Sequence, residues 1–292
     1  MKKVFIGQTG QVRSGWVLLA FGALTALTQW PLGIAFRGLF PAGDGPVLLD
    51  EWQIAAFTWP TLFSSLFATA VCAKVFREKV GLERPRLFYF GLALGGGALL
   101  LAVGVPTLLG YGTLSAPEHA LSVVFVSGVM QLITVGATSV GEELLFRGLP
   151  FQALARGTHQ SVAIGSTSLL FGLGHLNNPN SSLVAASNVA LVGIWFGLLA
   201  WRYSLWATIG LHVAWNWFEG FVFGQPVSGL TPGPSLFHAT WVHQRGFWAG
   251  GDFGPEASGW TTVILTFGIV LVLLISRPKP RNSGPEPVLH PE

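Results

Sequence analysis

Eight apolar stretches, near 15–36, 53–73, 88–110, 119–141, 161–176, 185–201, 204–224 and 259–276, leave this 292-residue chain few ways to fold. Most approach the ~20 residues that an α-helix needs to cross the hydrocarbon of a bilayer. In lipid, every backbone N–H and C=O must be satisfied within the protein, which a helix does alone and an irregular segment does not. Only 10% of the residues are charged and 51% are hydrophobic, whereas a soluble domain carries about 25% charged residues. Mean hydropathy is +0.56. The expected fold class is all-α: a polytopic transmembrane helix bundle of about eight spans, forming one domain over 1–276.

Lysine and arginine set the orientation. With the N-terminus in the cytoplasm, inside segments hold Lys2, Lys3, Arg13, Lys74, Arg77, Lys79, Arg84, Arg86, Arg156, Arg202, Arg277, Lys279 and Arg281. Only Arg37 and Arg245 fall outside, so both termini are expected in the cytoplasm. The first apolar stretch is too long for a signal-peptide core of about 7–15 residues and reads as an uncleaved helix. The sequence pI near 9.3 follows from these loop charges and anionic headgroups, and no nucleic-acid partner is expected. The single cysteine, Cys72, lies in an apolar run and reads as a packing residue. The 277–292 tail, rich in proline and small residues, is expected to be disordered and cytoplasmic.

The outer segment from 224 to 258 is long and rich in Gly, Pro and aromatics. Phe237, Trp241, Phe247 and Trp248 favour a surface lying at the membrane interface over a lid capping a cavity. Gly91 and Gly95 form a small-xxx-small pattern for close helix packing, with no functional meaning of its own.

Against this apolar background stand a few polar residues, which are expensive inside a bilayer and mark use. Glu143 and Arg147 are four apart and share a helix face, so they can pair. Glu142 is rotated by about 100° and can point elsewhere. A carboxylate in a low dielectric has the raised pKa that a general base needs. The plainer reading makes all three interfacial charges at the end of the fourth span. Phe171 precedes His175 by one turn and can buttress its imidazole, although a lone histidine on an apolar helix is more often packed than reactive. His212 and Asn216 are also four apart, and such a pair can ligate a metal or hold an oxyanion. Glu219 shares their face as a further polar candidate.

Helix rise allows these groups to meet in the middle of a bundle. If the fourth helix continues to Arg156, Glu142 lies roughly 20 Å from that end, with His175 about 25 Å from Thr158 and His212 about 12 Å from Ser204. If Pro150 ends the helix at Gly148, Glu142 is much shallower.

These residues resemble the CPBP family of intramembrane proteases, which includes the type II CAAX prenyl endopeptidases and the bacterial Abi bacteriocin self-immunity proteins. Its motifs EExxxR, FxxxH and HxxxN stand here as Glu142-Glu143-xxx-Arg147, Phe171-xxx-His175 and His212-xxx-Asn216. They occur in the family's order inside apolar segments. The resemblance covers 121–224, which would be the catalytic core. It implies peptide-bond hydrolysis in or near the bilayer. Glu142 and His175 would activate water, His212 and Asn216 would stabilise the oxyanion, and Glu143, Arg147 and Phe171 would support the site. Glu142, His175 and His212 could instead hold Zn²⁺, as the family's frequent description as metalloproteases implies. No HExxH is present, and metal-independent activation accounts for the same residues. The implied partners are the lipid bilayer and a membrane or lipidated protein substrate, in a multi-pass protein of a bacterial plasma membrane.

Two other classes fit part of the pattern. A non-catalytic scaffold or bacteriocin-immunity protein of the same fold would keep its phenotype in Glu142→Gln. A proton-coupled transporter would use the buried Glu and His as a relay, but no inverted repeat is visible. A rhomboid-type serine site has no recognisable setting at Ser127 or Ser139. A presenilin-type aspartate pair fails because Asp44, Asp50 and Asp252 all fall in expected outer loops.

Overall fold

A computed structural model describes residues 5–7, 11–39, 48–241, 247–248 and 250–275. The expected tail at 277–292, Asp44 and Arg245 lie outside the described residues. Every apolar stretch forms a helix: α1 (Ser14–Leu39), α2 (Leu48–Phe76), α3 (Leu87–Leu108), α4 (Leu121–Phe146), α6 (Gln160–Gly174), α7 (Leu183–Arg202), α8 (Leu205–Trp217) and α9 (Gly259–Ile275). A short amphipathic helix, α5 (Leu149–Gly157), joins α4 to α6. Among the described residues, five helical segments are long and apolar enough to cross a membrane, whereas α6, α8 and α9 are shorter. The helix α2 begins five residues before the expected 53, so Asp50 lies in its first turn and not in a loop.

The helices turn apolar side chains outward as well as inward. Trp30 is 74% exposed, Phe125 71% and Leu274 79%, as a surface bathed by hydrocarbon requires. The main buried core gathers Phe171, Trp195, Phe196, Leu199, Leu211 and Trp215 from α6, α7 and α8.

Glycines decide how closely the central helices approach. A Cβ on Gly91 would strike the Ala207 carbonyl, one on Gly95 the Leu211 carbonyl, and one on Gly210 the Phe88 carbonyl. The helices α3 and α8 therefore meet backbone to backbone, the packing that small residues permit in membranes. The glycine pattern, read from sequence as functionally silent, fixes the helix that carries His212.

Among the described residues a two-stranded sheet interrupts the helices. The strands β1 (Gly112–Ser115) and β2 (His238–Trp241) pair antiparallel, with Thr113 opposite Thr240 and their hydroxyls 2.7 Å apart. Gly110, at φ 76°, turns the chain out of α3 toward β1. The pairing ties the long 224–258 segment to the α3–α4 connection.

Candidate active site

The chemistry gathers around the end of α4. Gln131, Thr134, Thr138 and Glu142 recur at three- and four-residue spacing, so they form one polar stripe on an otherwise apolar helix. That stripe lines a cavity of about 480 Å³ whose other walls include Gln29, Thr61, Phe171, His175, His212 and Asn216. Glu142, His175, His212 and Asn216, taken together from sequence, thus face one space.

The helix α4 stops at Phe146 because Gly148 leaves the helical region, with ψ −134°, and Pro150 sits in the first turn of α5. A Cβ at Gly148 would lie 2.5 Å from the Leu144 carbonyl oxygen, so the break needs glycine there. The alternative in which the helix runs on to Arg156 is thereby corrected, and Glu142 sits about one turn from the helix end. Arg147 occupies the C-cap, its backbone N–H donating to the Glu143 carbonyl at 2.8 Å.

The two glutamates diverge as their helical offset requires. Glu143 is fully buried, and its Oε1 accepts from Arg147 Nη1 at 3.1 Å and pairs with His212 Nδ1 at 3.0 Å. The Glu142 side chain keeps 22% exposure toward the cavity, with Oε2 3.8 Å from His212 Nε2. His212 is therefore flanked by both acids. Among the described residues Arg147 Nε and Nη2 have no hydrogen-bond partner, but the guanidinium carbon lies 4.2 Å from the Phe171 ring centroid and 5.3 Å from that of Phe196. Those ring faces offset part of the cost of a buried cation.

His175 follows the last residue of α6. Its Nδ1 lies 2.8 Å from the Phe171 carbonyl oxygen, an acceptor only, so Nδ1 carries the proton and the neutral ring leaves Nε2 with its lone pair. The Phe171 ring stands 4.7 Å from the imidazole, the buttress expected of it. Asn216, one turn beyond His212, is 8% exposed on the same wall.

The metal expectation was tested on the donor set. Among the described residues, no three His, Cys, Asp or Glu side chains are gathered so that they could hold a metal ion. His212 already directs both nitrogens at carboxylates. The described residues, as arranged, do not fit a Zn²⁺ site.

Two further expectations change. The 224–258 segment was read as an interfacial surface, yet Val227, Ser228, Leu230, Pro232 and Gly233 line the cavity, as a lid does. Gln131 Nε2 donates to the Pro234 carbonyl at 3.3 Å and Asn178 Nδ2 to the Ser228 carbonyl at 2.9 Å, holding the segment down. Phe237, Phe247 and Trp248, expected at the interface, are exposed. Glu219, singled out on the face of His212, is fully buried in a π-helical turn (Phe218–Val222) and is not among the residues that line the cavity.

Sequence reasoning missed Glu256, buried at the lid's end, where Ser228 Oγ donates to its Oε2 at 2.6 Å. Nothing local in the sequence singles it out. Gln131, Thr134 and Thr138 were missed as well, although their helical spacing with Glu142 on an apolar helix is a signal that could have found them.

No curated protein matches the chain. A family model does: residues 123–218 match Type II CAAX prenyl endopeptidase Rce1-like, a segment that contains all three motif pairs. That segment is similar to the type II CAAX prenyl endopeptidase Rce1-like family, and together with the long apolar helices it supports an integral membrane protein with a CAAX-protease-like core.

Proposed function

We propose that the protein is an intramembrane endopeptidase that cleaves a peptide bond near the C-terminus or a membrane segment of a membrane or lipidated client. The observation that carries this reading is the division of labour between adjacent acids: Glu143 is buried and committed to Arg147 and His212, while Glu142 faces the cavity. In the proposed reaction, Glu142 takes a proton from a water molecule held by the His175 Nε2 lone pair, and the oxygen attacks the scissile carbonyl carbon. Negative charge moves to the carbonyl oxygen, where the Asn216 amide and the His212 imidazole meet it. The Glu143 carboxylate orients the His212 ring through Nδ1. The C–N bond then breaks, and Glu142 returns the proton to the departing amine.

The protein is placed in a bacterial plasma membrane, with about eight crossings and both termini in the cytoplasm. The apolar outward faces and the loop lysines and arginines support that placement.

The test uses the full chain in proteoliposomes. A panel of prenylated and unprenylated C-terminal peptides is incubated with the wild type and Glu142→Gln, and cleavage is read by mass spectrometry. The expected result is cleavage by the wild type and a loss of about 10²–10⁴-fold in the variant. A variant as active as the wild type would remove Glu142 as the base. In parallel, comparing membrane-protein C-termini in cells carrying either form identifies the client.

A further inference from the structure

A polar cavity of about 790 Å³ lies at the opposite end of α3 from the β1–β2 pair, where the α2–α3 connection meets the α5–α6 and α7–α8 turns. It shares no residue with the cavity at Glu142. Lys79, Arg84, Arg156 and His159 line it, and Glu83 does so as well. Its wall is pinned by hydrogen bonds. The Leu205 N–H donates to the Gly81 carbonyl at 3.0 Å and the Trp206 indole to the Leu82 carbonyl at 2.9 Å. Ser204, 3% exposed, donates through Oγ to the Glu83 carbonyl. Residues 81–83 are thereby fixed to the start of α8. Arg84 follows at φ 64°, in the left-handed region that a residue other than glycine enters at a cost.

The charges in this cavity do not cancel. Arg156 Nη2 pairs with Glu78 and its Nη1 donates to the Val12 carbonyl at 3.2 Å, so that cation is already engaged. Among the described residues Lys79 and Arg84 form no ion pair. His159 Nδ1 accepts from the Ser161 N–H at 3.3 Å, so the neutral ring carries its proton on Nε2 and offers a donor. Two cations and that donor outweigh Glu83, and the cavity favours an anion. Arg156 and Thr158 also line a second cavity, which opens along α1 past Arg13, Trp16 and Leu19. Leu19 is 64% exposed on the outward surface of that helix.

We propose that this cavity binds the headgroup of an anionic phospholipid, its phosphate held by Lys79 and Arg84 and its acyl chains laid along α1 beyond Arg156. The site sits where a headgroup lies. The helices α3, α6 and α8 begin beside it and α7 ends there, on the side read as cytoplasmic from its lysines and arginines. Trp201, Tyr203 and Trp206 mark the same level, as aromatic residues do at a membrane interface. Basic pockets between spans on that side suit phosphate headgroups. A free phosphate would use the cations alone, whereas the apolar walls on α1 fit a ligand with a tail. Such a ligand bridges α1, the α2–α3 connection and the start of α6, so it binds the folded chain and not the unfolded one. The site is separate from the cavity at Glu142 and does not depend on the peptidase assignment.

The test needs no substrate. Full-length protein in an uncharged detergent is unfolded by heat in the presence of rising amounts of phosphatidylglycerol, phosphatidylcholine or inorganic phosphate. A ligand of the folded chain raises the unfolding temperature in proportion to its occupancy. The expected result is a saturable rise with phosphatidylglycerol and none with the other two. Half-saturation should move about fivefold higher in Arg84→Gln and in Lys79→Gln, the weight of one cation near a headgroup. Arg77→Gln is the control: Arg77 is an exposed cation of the same connection, likewise at positive φ (56°), and does not line the cavity. It should respond as the wild type does. An Arg77→Gln response weakened as much as that of Arg84→Gln would mean diffuse attraction to negative charge and overturns the site. Unchanged half-saturation in both cavity variants overturns it too. An equal rise with inorganic phosphate overturns the lipid assignment. Should Arg84→Gln fail to fold, Lys79→Gln reads the same outcomes.

Discussion

The Oε1 atom of Glu143 lies 3.0 Å from His212 Nδ1, and the same oxygen accepts from Arg147 at 3.1 Å. One buried carboxylate therefore neutralises a cation from its own helix and orients an imidazole from another. Taking two charges out of water is costly, and their attraction offsets this only when the geometry is good and further hydrogen bonds exist. His212 is that further partner. The ion pair thus links the stability of the α4 terminus to the alignment of a residue on the cavity wall.

Removing either member of this pair should be far more damaging than removing both. Glu143→Gln leaves the Arg147 charge buried and unpaired, at a cost on the order of 3–5 kcal/mol. Glu143→Gln combined with Arg147→Met should recover a large part of that loss, because partners in contact do not add. Thermal unfolding in detergent measures the cycle. Additive losses would show that the two side chains act independently.

The glycines of α3 separate packing from propensity. Gly95→Ala drives a Cβ into the Leu211 backbone, next to His212, whereas Gly97 has nothing within 4 Å of its virtual Cβ. Gly97→Ala should be neutral or gain up to about 1 kcal/mol from helix propensity. Gly95→Ala should lose about 1–3 kcal/mol by overpacking and also lower peptidase turnover, as α8 is pushed away. Equal unfolding temperatures for the two variants would refute the backbone contact.

Much of this arrangement was legible in the sequence, for stated physical reasons. Apolar length located the helices, and four-residue spacing paired Glu143 with Arg147 and put Phe171 under His175. Two kinds of feature were hidden. The break after Phe146 turns on whether Pro150 kinks or ends a helix, which depends on a Gly148 backbone conformation that spacing does not encode. Glu256 reaches the histidines through a lid whose path is set by long-range pairs, β1 with β2 and Asn188 with the Glu256 and Ser258 carbonyls.

Gln131, Thr134 and Thr138, the part of the α4 stripe before Glu142, should act on substrate binding and not on the chemical step. Thr138 and Gln131 line the cavity away from the histidines, where an extended client backbone would find donors and acceptors. Thr138→Val keeps the volume nearly constant and removes one hydroxyl, so KM should rise about 5–10-fold with kcat nearly unchanged, the loss of one hydrogen bond. A fall in kcat at constant KM would place Thr138 in the reaction itself.

Glu256 makes stability depend on pH in a direction opposite to that of a salt-bridged acid. Burial pushes its carboxyl above the ordinary value of 4.5, while the Ser228 hydrogen bond and the nearby His175 and His212 pull it back. Glu219 is the other acid beside it. Between the ordinary and the raised value, the folded state holds a proton that the unfolded chain has released. Stability therefore falls as pH rises through that window and is greatest below it. In Glu256→Gln this contribution vanishes, so the unfolding temperature should decline less steeply than in the wild type as pH is raised from about 4.5. Parallel pH profiles for the two proteins would mean that Glu256 is as easily ionised in the folded chain as in the unfolded one, and the lid would then be held by Asn188 and Ser228 without any contribution from a protonated acid.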